Sequence, residues 1–140
     1  MAAVLAMWYP CVVWSDEVTE GLPEDAKLAL DVLSWITQGN SKFDVPYGGE
    51  DHINSLEDII LTGAAFEALA QAGLLPAKCT LARVIDRSAI DWEKQCYVSL
   101  SGKHPDGSYN LSVVIGTLGR AIYEVRITEH GYHIKSVGMS

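Results

Sequence analysis

The residues best suited to chemistry lie between Asn40 and His52, in a stretch that is rich in acids and ends in a histidine. It supplies oxygen and nitrogen donors of the kind that bind divalent metals, namely Asp44, Glu50, Asp51 and His52. Their spacing does not match an EF-hand loop, and no second histidine stands at helical spacing from His52. A solvated acidic loop beside a helix amino terminus explains the same residues, because negative charge is stabilising there. We therefore expect no metal and no cofactor.

Thiol chemistry has one candidate pair that is close in sequence, Cys96 and His104, because a cysteine nucleophile needs an imidazole to lower its pKa. The two lie across a predicted turn, and no orienting motif accompanies them. His130 and His133 fall at or beside the tip of the predicted last hairpin and are interpreted as surface histidines. The three cysteines are odd in number, widely spaced and outside any C-x-x-C pair, so they indicate buried thiols rather than disulfides or zinc: Cys11, Cys79 and Cys96.

The sequence contains none of the common signatures of nucleotide, dinucleotide, serine-hydrolase or zinc-protease chemistry. This absence weakens the enzyme class without removing it, and we predict no catalytic residue. The alternative is acid or base chemistry inside an apolar pocket, where burial shifts a pKa enough for proton transfer. The residues suited to that role are Asp86, Asp91, Tyr97, Tyr109 and Tyr123.

Two helices are predicted to precede a run of strands. Residues 23–39 combine acids in the first turn, a wide apolar stripe and a terminal Gly39, which predicts the first helix. The second is predicted over residues 54–73, starting at a reciprocal cap of Asn54 with Glu57 or of Ser55 with Asp58. The segment Met1–Trp14 is β-branched and aromatic, and it is interpreted as an extended segment that is interrupted at a proline.

Period-two alternation predicts four strands that pair in chain order, at residues 95–101, 109–117, 120–128 and 132–138. Residues 80–92 are ambiguous and allow a short fifth strand. The expected fold is α+β: a single domain over residues 1–140, with two N-terminal helices packed on one face of a curved antiparallel four- to five-stranded meander sheet. The order of elements resembles cone-shaped domains of the NTF2-like or cystatin-like type. That analogy concerns topology and carries no residues across.

Charge is distributed unevenly along the 140 residues, whose net charge is −8. Residues 1–75 hold twelve acids against two lysines, a net −10, whereas residues 76–140 hold six acids and eight bases, a net +2. Such a surface repels phosphate backbones, which argues against nucleic-acid binding. The uncharged stretch at the start of the chain is too short to span a membrane. A secretory signal requires a basic residue ahead of its apolar run, and the first base in this chain is Lys27. We therefore expect a cytoplasmic protein.

These observations predict a small acidic binding protein that engages or inhibits a basic protein partner, as immunity proteins or phage inhibitors do. Opposite charge speeds encounter with a basic surface, although solubility alone also explains an acidic surface. The predicted partner-binding residues are Asp44, Tyr47, Glu50, Asp51, Glu57 and Asp58. The alternative is a small-molecule pocket protein or enzyme of a cone-shaped α+β fold. A third hypothesis is self-association, in which the apolar N-terminal segment pairs with a sheet edge of another copy.

Overall fold

Six strands form one sheet in the computed structural model of this chain, which describes residues 21–116 and 119–139. Three α-helices lie in these ranges: α1 (Glu24–Thr37), α2 (Glu50–Ser55) and α3 (Ala64–Gln71). The strands are β1 (Asp58–Thr62), β2 (Cys79–Leu81), β3 (Gln95–Leu100), β4 (Ser108–Ile115), β5 (Gly119–Ile127) and β6 (Tyr132–Met139). The predicted α+β class is confirmed. The predicted extended segment Met1–Trp14 lies outside the described residues.

The sheet is mixed, with the strand order β2-β1-β3-β4-β5-β6. Strands β3 to β6 pair antiparallel in chain order, and their bounds lie within two residues of those that alternation predicts. Strand β1 lies between β2 and β3 and runs parallel to both. The predicted antiparallel meander therefore accounts for four of the six strands, and the cone analogy does not extend to the parallel part.

Helix α1 confirms the first predicted helix and is more buried than an amphipathic surface helix. Ten of its fourteen residues are buried, and Glu24 and Asp25 occupy its first turn. It contacts α3, and both helices cover the same face of the sheet. Among the described residues, no helix has both the length and the apolar character that a membrane crossing requires.

The prediction of one helix over residues 54–73 is wrong in its first half. Helix α2 ends at Ser55, β1 follows, and a helix resumes only with α3. Ile59 and Ile60 are β-branched and fit a strand, and Ile59 is fully buried between its neighbours Cys79 and Cys96. Periodicity alone cannot assign a short apolar run to helix or strand, and parallel pairing on both sides decides this one.

The two faces of the sheet differ, as the alternation in β5 predicts. Tyr123 and Val125 share the helix-covered face with Tyr109, Leu111 and Val113 of β4, whereas Glu124 and Arg126 lie on the opposite face. The core on the covered face includes Ile59, Leu61, Val98, Leu100, Leu111 and Val113. The helix-covered face therefore positions the segment between α1 and α2, which carries two of the six predicted binding residues, Asp44 and Tyr47, and leads into the helix that carries Glu50 and Asp51.

Candidate functional site

The segment between α1 and α2 is held by an aromatic cluster centred on Trp35. The Trp35 ring stacks on Phe43 with centroids 5.1 Å apart, lies 5.1 Å from Tyr47, and meets Tyr123 edge-on at 5.5 Å. Its indole Nε1–H donates a hydrogen bond of 2.7 Å to the carbonyl of Val45. Burial is the main reason that the pKa of Tyr47 is raised above its usual value, so its phenol remains neutral. The cluster thereby places a half-buried tyrosine immediately before α2.

The same segment also covers the start of the outer edge of β6. Phe43 forms a parallel bridge with Tyr132. The Tyr132 amide donates to the carbonyl of Lys42 (2.7 Å), and the Asp44 amide donates to the carbonyl of Tyr132 (3.1 Å). The Asp44 carboxylate accepts the Ile134 amide at 3.0 Å and His133 Nδ1 at 2.5 Å. Asp44 therefore joins this segment to β6 through its hydrogen bonds.

Asp44 makes the stability of this attachment depend on pH. The amide of Ile134, followed by His133, lowers the pKa of Asp44 below its ordinary value of 3.8. A carboxyl with a lowered folded-state pKa stabilises the fold above its unfolded-state pKa, and that contribution is lost as the pH falls through the folded-state pKa. We expect Asp44→Asn to lower the urea midpoint at pH 7, and we expect the difference from wild type to shrink below about pH 4.

Urea denaturation of wild type and Asp44→Asn across this pH range measures the effect. Glu129→Gln is the control, because Glu129 is exposed in the β5–β6 turn and its side chain has no hydrogen bond or ion pair with the described residues. A difference between wild type and Asp44→Asn that stays constant from pH 7 to pH 3 would contradict the assignment of the effect to this carboxylate.

Helix α2 presents two neighbouring acids, Glu50 and Asp51, in its first turn. At its other end the ammonium of Lys78 donates to the carbonyls of Ile53 (3.3 Å) and Asn54 (3.1 Å), so the charges at both ends complement the helix dipole. Oε1 of Glu50 is buried and accepts no hydrogen bond. In the described ranges, no other buried side-chain nitrogen or oxygen atom lacks a hydrogen-bond partner. Buried polar atoms are normally paired, so hydrogen bonding at the start of α2 is incomplete.

The six predicted binding residues do not form one surface. Tyr47, Glu50 and Asp51 lie together around the start of α2. Asp44 is engaged at the edge of β6. The remaining two lie beyond the end of α2, where Glu57 is 3.9 Å from the ammonium of Lys94 and Asp58 accepts from Thr80 and Gln95. Strand alternation directs Asp58 to the face of the sheet opposite the helices.

Comparisons with protein-family models, curated proteins and solved structures find no match to this chain. The function of this chain is therefore inferred from the chemistry of its own residues.

Several acids of the first half are engaged by residues of the second half, and the sequence did not reveal these pairings. The hydroxyl of Tyr109 lies 2.7 Å from Asp25 Oδ1, to which it donates, and 3.2 Å from Glu24 Oε1. Glu24 also accepts from the ammonium of Lys103 at 2.9 Å. The hydroxyl of Tyr132 donates to the buried Asp31 at 2.5 Å. The acidic half is thus less negative at its surface than its composition implies.

Residues considered for acid or base chemistry in a pocket do not converge. Asp86 and Asp91 are exposed, and Tyr97 lies on the face of the sheet opposite the helices, with the Arg87 guanidinium 6.0 Å from its ring centroid. Tyr109 is hydrogen-bonded to α1, and Tyr123 belongs to the aromatic cluster. The phenols and carboxyls considered for this chemistry therefore occupy separate places in the fold.

Cys96 and His104 also lie apart. Cys96 is near the start of β3 and His104 lies beyond its end, so more than about 13 Å of strand separates them. Burial raises the pKa of the Cys96 thiol to about 12, which is opposite to what a thiolate nucleophile needs. In the described part of the chain, no three His, Cys, Asp or Glu residues are grouped to hold a metal ion.

Proposed function

We propose that this chain is a small acidic binding protein that engages a basic surface of a protein partner, as immunity proteins and phage inhibitors do. The proposed binding surface consists of Tyr47, Glu50 and Asp51, and we refer to it as the α2 surface. One observation carries the proposal. Of the three adjacent acid pairs among the described residues, Glu50 and Asp51 alone have no hydrogen-bonded or ionic partner for their side chains within those residues.

The other two adjacent pairs have partners within the fold. Glu24 and Asp25 are held by Lys103 and Tyr109, Asp58 accepts hydrogen bonds from Thr80 and Gln95, and Glu57 has a long, exposed ion pair with Lys94. No described residue donates a hydrogen bond to the side chain of Glu50 or Asp51. Arginine and lysine side chains of a partner supply the matching donors.

Tyr47 adds an aromatic contact beside the two carboxylates. Large aromatic residues are enriched in protein interfaces and at their energetic centres. Because Trp35 holds the Tyr47 ring and the β6 edge holds Asp44, the segment leading into α2 is positioned before any partner arrives. Such preorganisation reduces the ordering entropy that binding would otherwise cost.

Solubility and the α2 dipole explain the exposed Asp51 and the partly buried Glu50 equally well, so the decisive measurement is the rate of association. We expect Glu50→Lys/Asp51→Lys to slow association with a basic partner by about tenfold or more at low ionic strength, because electrostatic steering is reversed. The partner is first isolated by affinity capture from the native host at low and at high salt. Its association rate with purified wild type and variants is then measured by biolayer interferometry.

Glu93→Lys/Glu129→Lys is the matched control, since it changes the net charge equally at two exposed acids whose side chains lack partners within the described residues. Glu50→Gln/Asp51→Asn separates the loss of negative charge from the cost of placing lysines in the first turn of a helix, which is about 0.3–1 kcal/mol each. Equal slowing by both lysine pairs would assign the effect to net charge and would exclude the α2 surface.

A further inference from the structure

A groove with a volume of about 380 Å³ opens between the first turn of α1 and the β5–β6 hairpin. Lys27 of α1 and Lys42 of the following segment line it, and the hairpin contributes Ile127, Thr128 and His130. Its size lies within the range of small-molecule sites. It is also separate from the α2 surface, none of whose residues line it.

The groove gathers the only two bases that the first 75 residues contain, Lys27 and Lys42. The ammonium of Lys27 has no hydrogen bond or ion pair with any described residue. The ammonium of Lys42 lies 3.7 Å from Asp31 Oδ1, which is longer than a good charged hydrogen bond. Both ammonium groups therefore keep most of their donor capacity.

One acid, Glu24, also lines the groove, and Asp31 lies beside Lys42. Glu24 accepts from Lys103 at 2.9 Å and lies 3.2 Å from the hydroxyl of Tyr109. Asp31 accepts the hydroxyl of Tyr132 at 2.5 Å and the side-chain amide of Asn40 at 3.4 Å. Lys103 compensates the charge of Glu24, and Asp31 lies nearest to Lys42, so Lys27 is the lining cation that has no carboxylate partner among the described residues.

The hairpin wall of the groove is joined to the segment that carries Lys42. The Tyr132 amide donates to the carbonyl of Lys42 at 2.7 Å, which joins the segment after α1 to the start of β6. Within the hairpin, the Thr128 amide donates to the carbonyl of Gly131 at 2.8 Å. These backbone hydrogen bonds hold Lys42 and the hairpin in place relative to each other.

We propose that this groove binds a small organic oxyanion, with its phosphate or carboxylate group between Lys27 and Lys42 and its apolar part against Ile127. Two ammonium groups supply the donors that an oxyanion requires. Ile127 is 39% exposed and provides an apolar wall. The hydroxyl of Thr128 and the ring of His130 add polar contacts that a bare apolar pocket lacks.

NMR titration of the ¹⁵N-labelled chain at constant ionic strength tests the proposal, with phenyl phosphate, benzoate and phenol as probes. Phenyl phosphate and benzoate distinguish a phosphate group from a carboxylate group, and phenol lacks the anion. We expect saturable amide shifts at Lys27, Lys42 and His130 with at least one oxyanion and none with phenol. Lys27→Gln and Lys42→Gln are each expected to weaken that binding by about tenfold, because each removes a charged donor.

Lys135→Gln is the control, since Lys135 is an exposed base on the opposite face of the sheet. Binding to Lys135→Gln is expected to equal that of wild type. The proposal is overturned if neither oxyanion gives saturable shifts up to about 10 mM, if phenol binds as well as the anions, or if Lys135→Gln weakens binding as much as the groove variants. Glu50→Lys/Asp51→Lys leaves the groove intact, so this test is independent of the α2 surface.

Discussion

Gly63→Ala is expected to lower the free energy of unfolding by at least about 3 kcal/mol, which is enough to unfold a marginally stable chain. Gly63 joins β1 to α3 with φ +112°, a conformation that L side chains rarely adopt. An added Cβ would lie 2.1 Å from the carbonyl oxygen of Leu100. Because that oxygen belongs to the backbone of β3, no change of rotamer relieves the clash.

Gly73→Ala is the matched control for this prediction. Gly73 follows the end of α3 with φ +75°, and an added Cβ there meets nothing within 4 Å. Only the backbone strain remains, which amounts to about 1–2 kcal/mol. Urea denaturation of both variants measures the difference. Equal losses of stability would mean that β3 shifts to accommodate the Gly63 variant, and that the β1–α3 junction is less constrained than its geometry indicates.

The parts of the fold that could be predicted are those encoded by local periodicity. Helix α1 and strands β3 to β6 each have a continuous pattern of period 3.6 or 2, and the turns between the strands contain recognisable turn residues. Strand β1 has no such pattern, because a strand buried between parallel neighbours is a short apolar run. Its partners Cys79 and Cys96 lie far along the chain, so the pairing that defines it leaves no local signal.

The candidate site could be predicted only where proximity in sequence is also proximity in space. Tyr47, Glu50 and Asp51 remain together because one ordered segment carries them. Asp58 separates from them because β1 begins there and alternation directs its side chain to the other face. The sequence shows Lys27 and Lys42 as the two bases of an acidic half, but their convergence with His130 depends on tertiary packing that brings the start of α1 and the last hairpin to one groove.

Part of the uneven charge of the sequence is compensated by ion pairs within the folded molecule. Lys94, Lys103 and His133, all from the second half, contact acids of the first half. An acidic half and a mildly basic half therefore attract each other within the molecule, and the carboxylates left over become the informative ones. Glu50 and Asp51 are the adjacent pair of acids that folding leaves without a partner among the described residues.

Trp35→Ala is expected to lower the free energy of unfolding by about 3–5 kcal/mol and also to release the segment that leads to the α2 surface. Trp35 is 1% exposed, and its loss removes ring contacts to Phe43, Tyr47 and Tyr123 together with the hydrogen bond to Val45. If this segment must be positioned for binding, the variant loses partner affinity even under conditions where it is fully folded.

Leu61→Ala separates these two consequences of the Trp35 substitution. Leu61 is fully buried in β1 beside Leu81 and Val98, and it does not belong to the aromatic cluster. Its truncation is expected to cost about 2–5 kcal/mol. Hydrogen exchange over residues 43–51 discriminates the two variants at low temperature, where both are folded: it should accelerate in Trp35→Ala and stay near the wild-type rate in Leu61→Ala. Similar acceleration in both would mean that global stability, and not the aromatic cluster, holds the α2 surface in place.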